Sequence, residues 1–99
     1  MRVRFTDQAK ADLMEIGNYY HEIGAAKLAH RMIGQIKREV LAIGDYPESI
    51  PLYELLPGVR RLVVAGGAYL VFYRVMRHMQ ILHIRRGERA PAVAQDISH

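Results

Sequence analysis

Three arginines, Arg85, Arg86 and Arg89, close the stretch ILHIRRGERAP. A guanidinium offers phosphate or carboxylate a planar fork of donors and stays charged at any ordinary pH, so such a cluster grips an anion but takes no proton from it. Two chemistries use that property. One is stabilisation of a phosphate during RNA cleavage; the other is docking on an anionic macromolecule. Cleavage through the 2′-hydroxyl also needs a general base and a general acid beside the cations. Further cations stand upstream at Arg60, Arg61 and Arg74, but beyond Arg86 only Glu88, Asp96 and the terminal His99 could carry a proton. His99 falls in a tail expected to fray. The residues therefore favour docking, with Arg60, Arg74, Arg85, Arg86 and Arg89 as the target-binding set and no catalytic residue.

His83 keeps the other reading open. It is either a strand histidine bonded locally or, since imidazole exchanges protons near neutral pH, the proton carrier of a ribonuclease site completed by Arg85 and Arg86. The remaining candidates are weaker. No His-Glu-x-x-His or comparable ligand spacing is present and cysteine is absent, so neither a metal nor a cofactor is expected. Gly66-Gly67 lacks the following helix that a phosphate-cradling loop requires and reads as a turn. Asp12 and Glu15, three apart on a helix, read as a solvated face in preference to paired acids. Tyr69 and Tyr73 beside Arg74 have the composition of a base-stacking platform, though a core or partner contact weighs more.

Charge is unevenly placed along the 99 residues. Residues 1–49 carry seven Lys/Arg against seven acids, whereas residues 50–99 carry seven arginines, no lysine and three acids, so the whole net charge of +4 lies downstream. That half is expected to meet something anionic. A chain of this length closes one core, giving a single domain over 1–99 with residues from about 90 as a tail. No run approaches the roughly 18 apolar residues of a membrane span. The N-terminus MRVRFTDQ has no apolar segment behind its arginines and is expected to be a strand, not a leader.

The elements that must position these side chains follow from periodicity. Residues 2–5 alternate as a half-buried strand does. Thr6 is placed to cap a helix with Asp7 in its first turn and Ala9, Leu13, Ile16 and Tyr20 as its apolar stripe. Gly24 is the expected stop, and residues 25–43 form a second helix with Leu28, Met32, Ile33, Ile36, Val40 and Ile43 on one face. Gly17 and Gly34 would permit close helix crossing. Pro47, Pro51 and Pro57 then make a stiff surface crossing. From Val59 the period becomes two: a strand, the Gly66-Gly67 turn, a strand over 68–75, a turn, and a strand over 79–86. The fold expected is α+β, in the order β-α-α-β-β-β, with a helical hairpin on one face of a small antiparallel sheet. Strand 68–75 is apolar on both sides, Tyr69, Val71 and Tyr73 against Leu70 and Phe72, and strand 79–86 sets Met79, Ile81 and His83 against Leu82 and Ile84. The second face should then be covered by a partner or a second copy, or internally by the crossing and tail.

FTDQAKADLMEIGNYY, GVRRLVV, YLVFYRV and ILHIRRGER, in this order and spacing over residues 3–89, resemble the ParE-like toxins of the RelE/ParE superfamily of type II toxin-antitoxin systems. The resemblance implies a cytoplasmic growth inhibitor that poisons DNA gyrase as a protein inhibitor and not as an enzyme, touching nucleic acid only through that target and no membrane. It also implies silencing by a ParD-like antitoxin, expected here to contact Tyr19, Tyr69, Val71 and Tyr73. RelE-like relatives instead cut mRNA on the ribosome, and fold alone does not choose between the two. Within the resemblance, His83 stands where relatives often carry arginine and Arg86 where they often carry histidine.

Overall fold

The computed structural model describes residues 1–87; the tail and Arg89 lie outside the described residues. Strand β1 (Val3–Phe5) leads into helix α1 (Asp7–Glu22), helix α2 (Ala26–Ile43) returns antiparallel, and strands β2 (Arg60–Val64), β3 (Tyr69–Val75) and β4 (Met79–Arg86) complete the order. The sheet runs β1-β4-β3-β2. It is antiparallel through β2, β3 and β4, as expected, and mixed overall because β1 joins β4 in parallel. That parallel pairing costs no crossover of its own, since the helical hairpin and the meander lie between the two strands in sequence.

Local chemistry sets the ends of α1. Thr6 Oγ1 accepts from Ala9 N at 3.1 Å and donates to Leu82 O at 3.2 Å, so one hydroxyl caps the helix and ties it to β4. Gly24, with φ of 75°, ends the helix, and Ala25 N reaches back to Tyr20 O at 2.7 Å. At Gly17 a Cβ would stand 3.3 Å from Ile33 Cδ1, so this glycine does allow the hairpin to close tightly; at Gly34 the near neighbour is only the mobile end of Arg38. The hairpin's inner stripe, Ala9, Leu13, Ile16, Ile36 and Val40, packs on Leu62, Val64, Tyr69, Val71, Tyr73, Met79, Ile81 and Ile84 of the sheet. Leu28, expected on that stripe, is exposed.

The second face of the sheet is covered from within the chain. The proline-rich crossing folds back on itself through Tyr53 N to Val59 O at 2.7 Å and lays Tyr53, Leu56 and Val59 over Phe72, Leu70 and Leu82. Phe72 and Val59 are fully buried there. The partner or second copy expected on this face is therefore not needed to bury Phe72. Hydrophobic side chains that remain exposed beside this cluster include Leu52, Leu55 and Val63.

One irregularity governs the far end of β4. The β3–β4 register runs Tyr73↔Ile81 and then Phe72↔His83, leaving Leu82 as an extra residue, a β-bulge. Ile81 and Ile84 both enter the helix-facing core although they are three apart. In a regular strand that spacing places residues on opposite faces, as the alternation read from sequence placed them. The bulge corrects that assignment: Ile84 joins Met79 and Ile81, and every later side chain changes face.

Candidate functional site

Strand alternation divides the arginines expected to act together, and the bulge sets which face each takes. Arg85 pairs with Leu70, and Leu70 with Val63, on the face covered by the crossing; Arg86 pairs with the core tyrosine Tyr69 on the helix side. Arg61, opposite Phe72, and Arg74, opposite Gln80, share the face of Arg85, and Arg4 lies across Gln80 from Arg74. Arg4 and Arg61 were not in the set expected from sequence. The alternation of β2, read against β3, is the signal that would have found Arg61, whereas Arg4 depends on the pairing of β1 with β4. Arg60 belongs elsewhere. It pairs with Tyr73 and its Nη1 donates to Ile50 O at 2.6 Å and Glu48 O at 3.2 Å, so it holds the chain leaving α2. The five arginines expected to meet the target are thus placed apart, Arg74 and Arg85 on one face, Arg86 on the other and Arg60 bonded to the chain leaving α2, with Arg89 outside the described residues.

Arg86 sits in an aromatic cluster. Its guanidinium carbon lies 4.7 Å from the centre of the Tyr19 ring, Tyr19 meets Tyr20 edge-on at 5.2 Å, and Tyr69 Oη donates to Tyr20 Oη at 3.4 Å. Burial, then the hydrogen bond and proximity to Tyr20, push the Tyr69 hydroxyl up to about 12, and nearby Arg86 acts in the opposite direction. Burial likewise raises Tyr73, opposed by Arg60; its Oη donates to Pro47 O at 2.6 Å. A matching cation–aromatic contact stands on the other face, where Arg61 lies 4.9 Å from the centre of the Tyr53 ring.

The four residues expected to meet an antitoxin separate sharply. Tyr19 is 41% exposed, whereas Tyr69, Val71 and Tyr73 are 3% exposed or less and sit under the helical hairpin. These three hold the core and have no surface to present, because their side of β3 is the one the helices cover. The base-stacking platform considered for Tyr69 and Tyr73 fails for the same reason.

His83 meets helix α1. It is 8% exposed, and its Nδ1 lies 2.5 Å from Oδ2 of Asp12, itself 5% exposed, in a contact that is not aligned as a hydrogen bond. Asp12 Oδ2 also accepts from Ile84 N at 2.8 Å, and Oδ1 accepts from Gln8 Nε2 at 2.9 Å. The solvated face expected for Asp12 is thus wrong. The carboxylate lies between Ala9, Leu13 and Ile16, on the apolar stripe of α1, and that position in the stripe was the signal missed. Among the described residues no group of three or more His, Cys, Asp or Glu side chains could hold a metal ion, and no helix is long and apolar enough to cross a membrane.

A four-stranded mixed sheet backed by a helical hairpin, with arginines towards its strand ends, is a small α+β domain in the order β-α-α-β-β-β. A chain from the chromosomal ParDE toxin-antitoxin system of P. aeruginosa superposes on this one with a TM-score of 0.79 at 27% identity, over 89% of this chain and 97% of that one. No curated protein matches the sequence. The profile of the ParE toxin of type II toxin-antitoxin systems matches residues 3–91, and the chain belongs to that family.

Proposed function

We propose that this ParE-family toxin inhibits growth by binding and poisoning DNA gyrase, without a catalytic step of its own, and that a ParD-like antitoxin silences it. The observation that carries the docking reading is the position of His83. The imidazole of β4 stands opposite Phe72, as Arg61 does, but it is buried and held against Asp12, while Arg61, Arg74 and Arg85 line that face of the sheet. Cations whose neighbouring imidazole is buried against a carboxylate suit an anionic contact and not cleavage of a phosphodiester. The antitoxin partner is supported by the ParDE system to which the P. aeruginosa chain belongs. Its surface on this chain includes Tyr19 and the outer side of the helical hairpin, since Tyr69, Val71 and Tyr73 are covered.

Purified protein added to gyrase and supercoiled plasmid is expected to stop supercoiling and to accumulate cleaved DNA. Programmed ribosomes given the same preparation keep their mRNA intact. Codon-positioned mRNA cleavage that disappears in His83→Ala would reverse the assignment and make the ribosome the target. Because Arg85 and Arg86 occupy different faces, their single alanine variants need not weaken gyrase inhibition equally. Arg85→Ala is expected to lose about tenfold or more, the scale of a charged interface contact.

A further inference from the structure

We propose that Asp12 is a positioning residue that locks the β-bulge at Leu82 and so decides which arginine faces the target. The inference rests on the docking role assigned above to the face bearing Arg85. The argument begins where β1 stops. The parallel ladder ends at Phe5↔Ile81, after which Thr6 N bonds Ile81 O and Thr6 Oγ1 bonds Leu82 O as the chain turns into α1. Beyond that point no strand among the described residues lies on the β1 side of β4, and the Ile84 amide needs an acceptor in a buried place. Asp12 of α1 supplies it at 2.8 Å, and the same oxygen faces His83 Nδ1. Both contacts fall on the two residues that follow the extra residue, where the bulged strand is free to settle into either alternation.

Only one alternation keeps the observed surface. With the bulge, Ile84 enters the core, Arg85 opposes Leu70 and Arg86 opposes Tyr69. If the bulge were smoothed out from Ile81 onward, Ile84 would oppose Leu70 and Arg85 would oppose Tyr69, exchanging the faces of the two arginines. The carboxylate of Asp12 holds the first arrangement by giving Ile84 N a partner that the smoothed strand would move away from it. Gln8 steadies the carboxylate from its other oxygen.

The test uses the full-length chain with Asp12→Ala and Asp12→Asn. Asparagine retains an oxygen that accepts from Ile84 N; alanine does not. In Asp12→Ala, cross-strand proton contacts measured by NMR are expected to place Arg85 opposite Tyr69, and inhibition of purified gyrase to fall about tenfold or more, as for loss of a positioned charge. Asp12→Asn keeps Arg85 opposite Leu70 and stays within about threefold of the parent, an acceptor being what the site requires. A folded Asp12→Ala that keeps Arg85 opposite Leu70 overturns the proposal. Should that variant fail to fold, the parent decides: a scalar coupling across the hydrogen bond from Ile84 N to the Asp12 carboxyl supports the lock, and its absence refutes it. A parent protein without effect on gyrase would remove the proposed target, whereas the strand register reports on Asp12 independently of it.

Discussion

The two faces of this sheet are finished by different parts of the chain. The helix face is closed by a regular hairpin whose stripe fits the pleat, and among the described residues its cluster holds thirteen buried side chains. The crossing-covered face holds three, Tyr53, Val59 and Phe72, under a proline-rich segment. That difference assigns stability to the first face and leaves the second with surface to spare, and it is on the second that Arg61, Arg74 and Arg85 gather. A small domain has one core to spend on folding; here the side with the lesser core is the side that carries the charge.

Large-to-small substitutions break the comparison most directly. Ile81→Ala is expected to cost about 4 kcal/mol, near the upper end for such changes, because helices and sheet lock its neighbours in place. Phe72→Ala removes more atoms yet is expected to cost about 3 kcal/mol, since an irregular crossing settles into the gap more readily than a helix does. Urea unfolding of both variants measures the difference. Amide exchange in Phe72→Ala should quicken at Tyr53 and Val59 while Ile36 and Val40 keep their protection. A larger loss for Phe72→Ala than for Ile81→Ala would put the principal core on the other face.

Alkaline titration distinguishes the faces next. Tyr69 and Tyr73 both lie on the helix side and both are raised above the ordinary tyrosine value of 10.0, Tyr69 to about 12. The folded protein therefore holds its phenolic protons at a pH where the unfolded chain has released them. Their contribution is fully present below pH 10 and is lost as pH rises towards about 12. Unfolding measured between those limits should show stability falling with pH, and Tyr69→Phe should fall less steeply. An unchanged slope in Tyr69→Phe would mean that the alkaline loss arises elsewhere.

The same contrast explains what could be read from the residues alone. The hairpin, the meander and their order were legible because a period of 3.6 or 2 repeats along each element, and Thr6 and Gly24 mark their ends as expected. The parallel seat of β1 was not, since three residues carry no signal of their partner. The bulge was hidden for a different reason: it depends on Asp12, 72 residues from Ile84 in sequence. Treating β4 as regular misplaced Ile84 and exchanged the faces of Arg85 and Arg86. The arginine-rich strand end was visible as composition; which arginine takes which face needed tertiary structure. Burial of Tyr69, Val71 and Tyr73 followed from which side of β3 the helices took, a choice that a strand apolar on both sides leaves open.

The smallest expected effect compares the two cation–aromatic contacts. Arg61 lies over Tyr53, which is 9% exposed, and Arg86 over Tyr19, which is 41% exposed. Water screens the second pair more than the first, and attraction between a guanidinium and a ring grows as both lose solvent. Double-mutant cycles with Ala for arginine and Leu for tyrosine should then give a coupling of about 1 kcal/mol for Arg61 with Tyr53 and about 0.5 kcal/mol for Arg86 with Tyr19. Raising the salt concentration should leave the first coupling nearly unchanged and reduce the second, because partial burial shields a charge from mobile ions. Equal couplings with equal salt dependence would mean that the proline-rich crossing gives Tyr53 no drier environment than an open helix surface gives Tyr19, and the crossing would then be a connection and not a cover.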